Sequence, residues 1–405
     1  MKLSKNNTHR NISRLFYQKD ILLILIASFF YFSSPMLATP LITGFTGSLG
    51  ANAALMGIVG GLMNLCSLLC RPFVGNLADR ISKYRLSCIG AFLMLAASLG
   101  YTVAQRPLVV VLSRIINGAG FACCSVCMST WLSNLLPRDK IGSGMGIYGA
   151  MNALAMGIAP SAGVYIYQNF SYRTAFGLTA VFSALILIVI QFIEDHGEPI
   201  HTSITPQSSA LQTKKENLQL VDKKVLPIAI IITLFAIPYC ATQSFLVTYA
   251  QVRNINISVG LFFPTYAAAL FLLRFTLKGL FDKLPFKVFL LAGCICAAAS
   301  LFSLAAMENN LIMFLAGIFM AGGYGIMCSV CQSTAILLAG PEKRGIANST
   351  YYIGLDLGMT LGPFIGGILV EHLEIHLFYP VLLITVPLIL MVYFLSKGTI
   401  AEIKA

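Results

Sequence analysis

Residues 75–86 have the sequence GNLADRISKYRL and form the first strongly charged break in a run of long apolar segments. Apolar stretches flank the break at 52–74 and 86–104. Each stretch can cross a bilayer as a helix, which needs about 20 residues. The break is too short to be a domain, so a tight turn at one membrane face is predicted. Its three basic residues place that face in the cytoplasm, because short loops rich in Lys and Arg stay inside.

The composition is typical of a polytopic membrane protein. Of the 405 residues, 57% are hydrophobic and only 10% are charged, so a lipid bilayer is the expected surrounding. The net charge of +12 does not indicate nucleic-acid binding, because the charges lie in short gaps between apolar segments. The eleven cysteines fall in or beside those segments, where Cys behaves as a small apolar residue. No disulfide framework and no metal site are predicted.

The alternation of apolar and polar segments predicts an all-α integral membrane protein with twelve transmembrane helices. The longest polar stretch, 194–225, is predicted to be a flexible cytoplasmic linker between a half at 1–193 and a half at 226–405. The predicted spans are 21–43, 52–74, 86–105, 107–133, 142–168, 173–193, 226–250, 257–277, 287–307, 310–339, 346–370 and 375–396.

The distribution of basic residues predicts the orientation. If the N-terminus is inside, 21 of the 27 Lys and Arg residues lie on cytoplasmic segments, and only Arg106, Arg173 and Arg253 lie outside. This bias follows the positive-inside rule. The chain is therefore expected to be a multi-pass protein of the cell membrane with both termini in the cytoplasm.

The two predicted halves repeat each other at an offset of 203 residues. No single match is strong, but the near-constant offset extends over several helix pairs and predicts two six-helix repeats. A further pair, one residue later in register, joins the Cys-Ser-Val-Cys motifs that begin at Cys124 and Cys328. The matches include Phe32 with Phe235, Arg71 with Arg274, Asp79 with Asp282, and Pro160 with Pro363.

The charged turn resembles the loop between helices two and three of major facilitator superfamily transporters. The family pattern is Gly-x-Leu-Ala-Asp-Arg-x-Gly-Arg-Lys. Residues 75 and 77–80 match it, Lys83 stands for the Arg, and Ser82 and Tyr84 replace the second Gly and the Lys. The resemblance covers essentially the whole chain. It implies an alternating-access transporter with its substrate site between the halves, near mid-membrane.

The same resemblance implies a conformational gate at the cytoplasmic face. Asp79 is expected to stabilise the state closed on that side, by pairing with Arg80 or with a neighbouring helix end. Arg71 and its repeat partner are placed at the cytoplasmic ends of their spans. The predicted gate comprises Gly75, Asp79, Arg80, Arg71, Asp282 and Arg274.

Asp356 is the one acidic residue well inside a predicted span, about 15 Å from its start at helical rise. A charge at mid-bilayer costs about 2.5–3.5 kcal/mol, so such a residue is a functional candidate. The hypothesis is that Asp356 is unpaired and takes up and releases the coupling proton. The alternative is an aspartate that bonds neighbouring polar groups and serves helix packing.

Arg114 is the basic residue within a span. It begins the sequence Arg-Ile-Ile-Asn-Gly-Ala-Gly, which resembles the fourth-helix motif Arg-x-x-Gln-Gly-x-Gly of proton-coupled members. The resemblance implies that Arg114 takes part in proton coupling. The alternative is an arginine that snorkels to the outer membrane interface.

The eleventh span carries Gly358-x-x-x-Gly362-Pro363-x-x-Gly366-Gly367, which matches the antiporter signature of the family. In the family this signature belongs to the fifth span, where this chain has only a weaker copy. Small residues at this spacing allow close helix approach, so helix packing is the principal interpretation. The signature therefore does not decide between export and import.

The substrate cavity is predicted to be aromatic with few polar groups, which suits amphipathic solutes. For any one aromatic ring, packing against lipid or other helices is the alternative. The predicted cavity residues are Phe32, Tyr239, Gln243 and Asn152.

The leading hypothesis is a secondary transporter, a monomer without cofactor, that exports small organic solutes in exchange for protons. The alternatives are a solute importer of the same fold, an exporter of a metal-binding metabolite, or a membrane sensor. A membrane enzyme is disfavoured, because all five His residues lie outside the spans or at an edge.

Overall fold

The chain folds into a bundle of membrane-length helices. The structure is a computed structural model that describes residues 19–199, 221–255, 257, 259–277 and 279–400, and these residues are almost entirely helical. The all-α prediction is confirmed. The helices are α1 (Lys19–Ser48), α2 (Ala53–Arg80), α3 (Lys83–Val103), α4 (Pro107–Leu135), α5 (Ile141–Asn169), α6 (Tyr172–Ile190), α7 (Leu226–Val252), α8 (Phe262–Leu277), α9 (Phe286–Ala305), α10 (Asn310–Ala339), α11 (Arg344–His372) and α12 (Ile375–Leu395).

Ten helices in the described part of the chain are long and apolar enough to cross a membrane. Of the other two, α8 is apolar but has only 16 residues. The 29 residues of α5 include several Gly and polar residues, which lower its hydropathy. Together these elements agree with the twelve predicted spans.

Polar residues define where several helices begin. Asn52 Oδ1 accepts a hydrogen bond from Leu55 N at 2.9 Å at the start of α2. Asn309 Oδ1 accepts from Ile312 N at 3.0 Å at the start of α10. Such caps satisfy backbone donors that have no partner within the first helical turn.

The second helix is longer than predicted. It continues to Arg80, although its predicted end is residue 74, so the turn to α3 contains only Ile81 and Ser82. Leu77 and Ala78 support helix, and the charges that follow do not interrupt it. Asp79 therefore lies in the last turn of α2.

The tenth helix is not uniform. It changes from α-helix to π-helix at Ala321–Gly325 and returns to α-helix at Ile326. This segment has the sequence AGGYG, and its three glycines weaken regular α-helix. Single-turn π segments in helices often occur at functional sites.

The two predicted halves meet where α2 packs against α11, and where α5 packs against α8 and α10. These crossings are related by the repeat. We call the end of the bundle that carries Arg80, Arg138 and Lys343 the basic end. The division at 193 and 226 stays a prediction, and residues 200–220 of the predicted linker lie outside the described residues.

The first residues after α6 are bound to the basic end. Lys83 N donates to Gly197 O at 2.9 Å, and Ser82 Oγ donates to His196 O at 2.5 Å. Trp131 Nε1 of α4 donates to Asp195 Oδ2 at 2.5 Å. This part of the predicted linker is therefore hydrogen-bonded to α3 and α4.

A row of glycines brings α11 into backbone contact with α7. A Cβ atom at Gly362 would lie 2.7 Å from Ile237 O and 2.7 Å from Cys240 Cβ. Gly358 and Gly366 face α7 in the same way, while Gly367 does not, since its nearest neighbour would be Phe245 at 3.7 Å. The signature-like sequence of α11 thus serves close helix packing.

We predict that Gly362→Ala lowers the stability of the detergent-solubilised protein by about 1–3 kcal/mol, the usual cost of overpacking. The matched change Gly367→Ala, on the same helix but with room for a methyl group, should leave stability unchanged or raise it by about 0.5–1 kcal/mol. The measurement is the melting temperature of each variant, obtained by heating samples and using size-exclusion chromatography to monitor the loss of folded protein. Equal melting temperatures for the two variants would contradict the close contact.

Candidate functional site

The centre of the site is an ion pair that joins the two halves. Arg71 of α2 is 1% exposed and Asp356 of α11 is 4% exposed. Arg71 Nε donates to Asp356 Oδ2 at 2.5 Å, and Nη2 donates to Oδ1 at 3.1 Å. The remaining nitrogen, Nη1, donates to Ser125 Oγ of α4 at 2.9 Å. The guanidinium is therefore neutralised by α11 and held by hydrogen bonds from both α11 and α4.

The expectation that Asp356 is unpaired is wrong, because Arg71 lies deeper than its predicted place at a helix end. Since α2 continues to Arg80, Arg71 lies nine residues, about 14 Å, from the end of the helix. Two buried charges stabilise each other only as a pair. Removing one partner of such a pair costs about 3–5 kcal/mol.

Hydroxyl groups extend the ion pair through the interior. The guanidinium of Arg71 lies 4.4 Å from the ring centre of Tyr352, a cation–π contact. Tyr352 OH hydrogen-bonds to Tyr148 OH of α5 at 3.2 Å, and Tyr148 OH hydrogen-bonds to Tyr31 OH of α1. This chain of hydroxyls crosses from one half to the other.

An amide branch connects the same tyrosine to α4 and α10. Gln332 Nε2 donates to Tyr352 OH at 3.1 Å and to Asn348 Oδ1 at 3.0 Å. Asn348 Nδ2 in turn donates to Thr130 Oγ1 at 3.0 Å. Six helices therefore contribute polar groups to one buried network between the halves.

At the basic end, Asp79 bonds the start of α11. Its carboxylate accepts from Gly345 N at 2.6 Å and from Ile346 N at 2.9 Å. This is a helix N-terminus, where free N–H groups and the helix dipole stabilise negative charge. Of the two expected partners, the neighbouring helix end is therefore the one observed for Asp79.

Asp282 makes the reciprocal contact from the other half. It accepts from Ser143 N at 2.8 Å and also from Ser143 Oγ at the start of α5, and Lys140 Nζ lies 3.9 Å away. Burial raises the pKa of Asp282 to about 6, although the Ser143 N–H bond and the charge of Lys140 lower it. Each half thus places one carboxylate on a helix start of the other half.

Glycines at the helix starts allow the aspartate-bearing segments to come this close. A Cβ atom at Gly345 would lie 2.6 Å from Gly75 O and 2.7 Å from Asp79 Oδ1. Gly142 has the same role in the repeat, with Phe281 O 2.6 Å from a Cβ position. The basic end is therefore closed by direct backbone contact.

The sequence profile described as Major Facilitator Superfamily matches residues 23–340 and 287–403. The chain belongs to the major facilitator superfamily. It is therefore a membrane transporter rather than an enzyme, as predicted.

Two relatives of this transporter are similar to it at low sequence identity. An uncharacterized MFS-type transporter of Methanocaldococcus jannaschii is 21% identical over 369 residues, covering 89% of this chain and 94% of that protein. The quinolone resistance protein NorA of Staphylococcus aureus is 24% identical over 371 residues, with 88% and 91% coverage.

Solved structures support the fold. The crystal structure of the human organic anion transporter MFSD10 (TETRAN) superimposes with a TM-score of 0.71 at 13% identity, covering 94% of this chain and 99% of that chain. The crystal structure of FucP, a major facilitator transporter in the outward conformation, gives 0.72 at 14% identity, with 94% and 98% coverage. At these identities the similarity concerns the fold alone.

Arg114 of the transporter lies apart from this network. It is buried against α2, with Nε donating to Val59 O at 3.2 Å and Nη1 lying 3.6 Å from Met63 Sδ. An arginine that snorkels to the membrane interface is therefore excluded. Its hydrogen bonds go to α2 and not to Asp356, so a shared role in proton coupling stays a prediction.

The predicted cavity residues do not form one cluster. Phe32 packs against Tyr148 with ring centres 5.6 Å apart, beside the buried network. Tyr239 is buried, whereas Gln243 is exposed. Asn152 is half-buried, and its Oδ1 has no hydrogen-bond partner among the described residues.

Sequence reasoning missed most of the network between the halves. Its missed members are Tyr31, Ser125, Thr130, Tyr148, Gln332, Asn348 and Tyr352. The available signal was the presence of Gln and Asn inside long apolar helices, where polar side chains usually bond across helices. The tyrosines gave no such signal, because aromatic residues are also common in lipid-facing positions.

We predict that Asp79→Asn and Asp282→Asn each open the basic end, because each loses a charge-assisted bond to a helix start. The double variant should open it further. Spin labels at Arg138 and Glu342, exposed residues on opposite halves, would measure the distance across that end. The control is Asp139→Asn, whose side chain is 76% exposed. Unchanged distances in the double variant would refute this role.

Proposed function

We propose that this transporter exports small organic solutes across the cell membrane in exchange for protons, by alternating access. The observation that carries the proposal is the Arg71–Asp356 pair, which couples a titratable group to the contact between the halves. The name of the relative NorA, a quinolone resistance protein, supports drug or metabolite export. The basic end would face the cytoplasm, with both termini inside, according to the positive-inside rule.

The ion pair would link protonation to movement. While Asp356 is charged, it attracts Arg71 across the α2–α11 crossing and holds the basic end closed. Protonation removes that attraction, so the halves can part at the basic end. In the opened state water can reach the carboxyl, which then releases its proton.

This order of events exchanges a proton for a solute and prevents either from crossing the membrane alone. A proton taken up from outside permits opening to the cytoplasm, and its release there restores the charge on Asp356. The re-formed pair closes the basic end again with a solute enclosed. The buried hydroxyls of Tyr31, Tyr148 and Tyr352 would stabilise the pair in the closed state.

We predict that Asp356→Asn reduces pH-gradient-driven transport to about a tenth of wild type or less, because Arg71 then stays unneutralised at a cost of about 3–5 kcal/mol. The assay is solute flux into or out of proteoliposomes with an imposed pH gradient, using a panel of drugs and metabolites. Solute exchange without a gradient should be affected less.

The matched control is Glu371→Gln, an exposed acid on the same helix, which should transport normally. Asp356→Glu should retain part of the coupling with a shifted pH optimum. Full gradient-dependent transport by Asp356→Asn would reject coupling at this residue. Solute movement in the direction of the proton would instead indicate import by the same fold.

A further inference from the structure

Arg274 of α8 is a buried arginine like Arg71 and Arg114, and no acidic partner for it lies among the described residues. It is 3% exposed, and its Nη2 donates to Gly325 O at 2.9 Å. Nε and Nη1 have no hydrogen-bond partner, and no ion pair to Arg274 occurs among the described residues. A buried guanidinium that lacks both a counter-charge and partners for two of its nitrogens is costly, so a missing anion is the simplest explanation.

The internal repeat identifies where that anion belongs. Arg274 is the repeat partner of Arg71, and the offset of 203 residues relates Tyr352 and Asp356 to Gly149 and Ala153. Gly149 does lie directly against the guanidinium of Arg274, as Tyr352 lies against Arg71. The second copy of the site therefore has the arginine but lacks the carboxylate.

Other polar groups around Arg274 are also unsatisfied. Tyr239 OH and Ser329 Oγ are buried and have no hydrogen-bond partner within the described part of the chain. Ser329 Oγ faces Gly149 together with the guanidinium. Among the described residues, Ser329 Oγ and two guanidinium nitrogens thus lack partners beside Gly149, and Tyr239 OH lacks one on a ring stacked against Tyr324.

Aromatic rings complete the surroundings. Tyr239 stacks on Tyr324 with ring centres 4.3 Å apart, and lies 4.9 Å from Tyr266. Tyr266 and Tyr324 both lie close enough to Arg274 to interact with it electrostatically. Tyr324 belongs to the π-helical segment whose last carbonyl, Gly325 O, orients the arginine.

We propose that Arg274 binds the carboxylate of the transported solute, and that the substrates are aromatic organic anions. The solute would supply the negative charge that Asp356 supplies to Arg71. The tyrosine faces would contact its aromatic part, and Tyr239 OH or Ser329 Oγ would donate to its oxygens. This inference rests on the proposed function, since it names the substrate class of the same transporter.

The position of Arg274 also explains when the solute binds. The guanidinium lies where α5 meets α8, one of the contacts between the halves. It is covered while the basic end is closed and becomes accessible when α5 and α8 separate. A carboxylate bound there neutralises the charge before the halves close again.

The test is equilibrium binding of naphthoate and of its neutral analogue naphthamide to the purified full-length transporter. Wild type should bind naphthoate at least about tenfold more tightly than naphthamide, as is typical of hydrogen bonds to charged groups. Equal affinities would overturn the proposal. Displacement of naphthoate by equimolar chloride would also overturn it, because the site would then be one for small inorganic anions.

Two variants locate the binding site. Arg274→Gln should remove the preference for naphthoate. Ala153→Asp should do the same by a different route, because it supplies an internal carboxylate at the repeat position of Asp356. In both variants naphthamide affinity should stay at the wild-type level, which also verifies folding. Unchanged naphthoate affinity in a folded variant of either kind contradicts the proposal.

These measurements use no pH gradient, so they are independent of proton coupling. If naphthoate binds as expected but Asp356→Asn transports normally in proteoliposomes, the proposed coupling fails and the substrate site stands. If gradient-driven transport depends on Asp356 but naphthoate does not bind preferentially, the proposed substrate site fails and the proposed coupling stands.

Discussion

The bond between Arg71 and Asp356 is the constraint on which the interior of this transporter depends. Two charges buried between the halves are tolerable only while they face each other. Their partners are arranged accordingly, with Ser125 and the ring of Tyr352 on the guanidinium and a chain of tyrosine hydroxyls beyond. A shift of α11 relative to α2 therefore affects every group in the network at once.

The contacts at the basic end are of a different kind. There the carboxylates accept hydrogen bonds from backbone N–H groups at helix N-termini, and not from arginine side chains. Asp79 and Asp282 occupy equivalent places in the repeat, and each bonds the first turn of a helix in the opposite half. The reciprocity means that both crossings between the halves close together. Such contacts use backbone N–H groups, so they need glycine at the contact more than any particular partner side chain.

The sequence was sufficient for the fold and for the separate candidates, but not for their pairing. Hydropathy and the repeat predicted the twelve helices, and the loop motif pointed to Asp79. The partner of Asp356 was not predictable, because Arg71 lies 285 positions away and looked like a residue at a helix end. That error has a local cause: the predicted span ends at residue 74 and leaves Asp79 and Arg80 in the turn, whereas α2 includes both.

The distance of 285 residues between these partners has a consequence for biosynthesis. At about 5–20 residues per second, Arg71 is made roughly 15–60 s before Asp356. During that interval an arginine lies within an apolar helix without its counter-charge, at a cost of about 2.5–3.5 kcal/mol. The first six helices therefore bear this cost until the eleventh helix is inserted. The eleventh helix supplies the missing charge, so quality control during membrane insertion has to tolerate an unfinished N-terminal half.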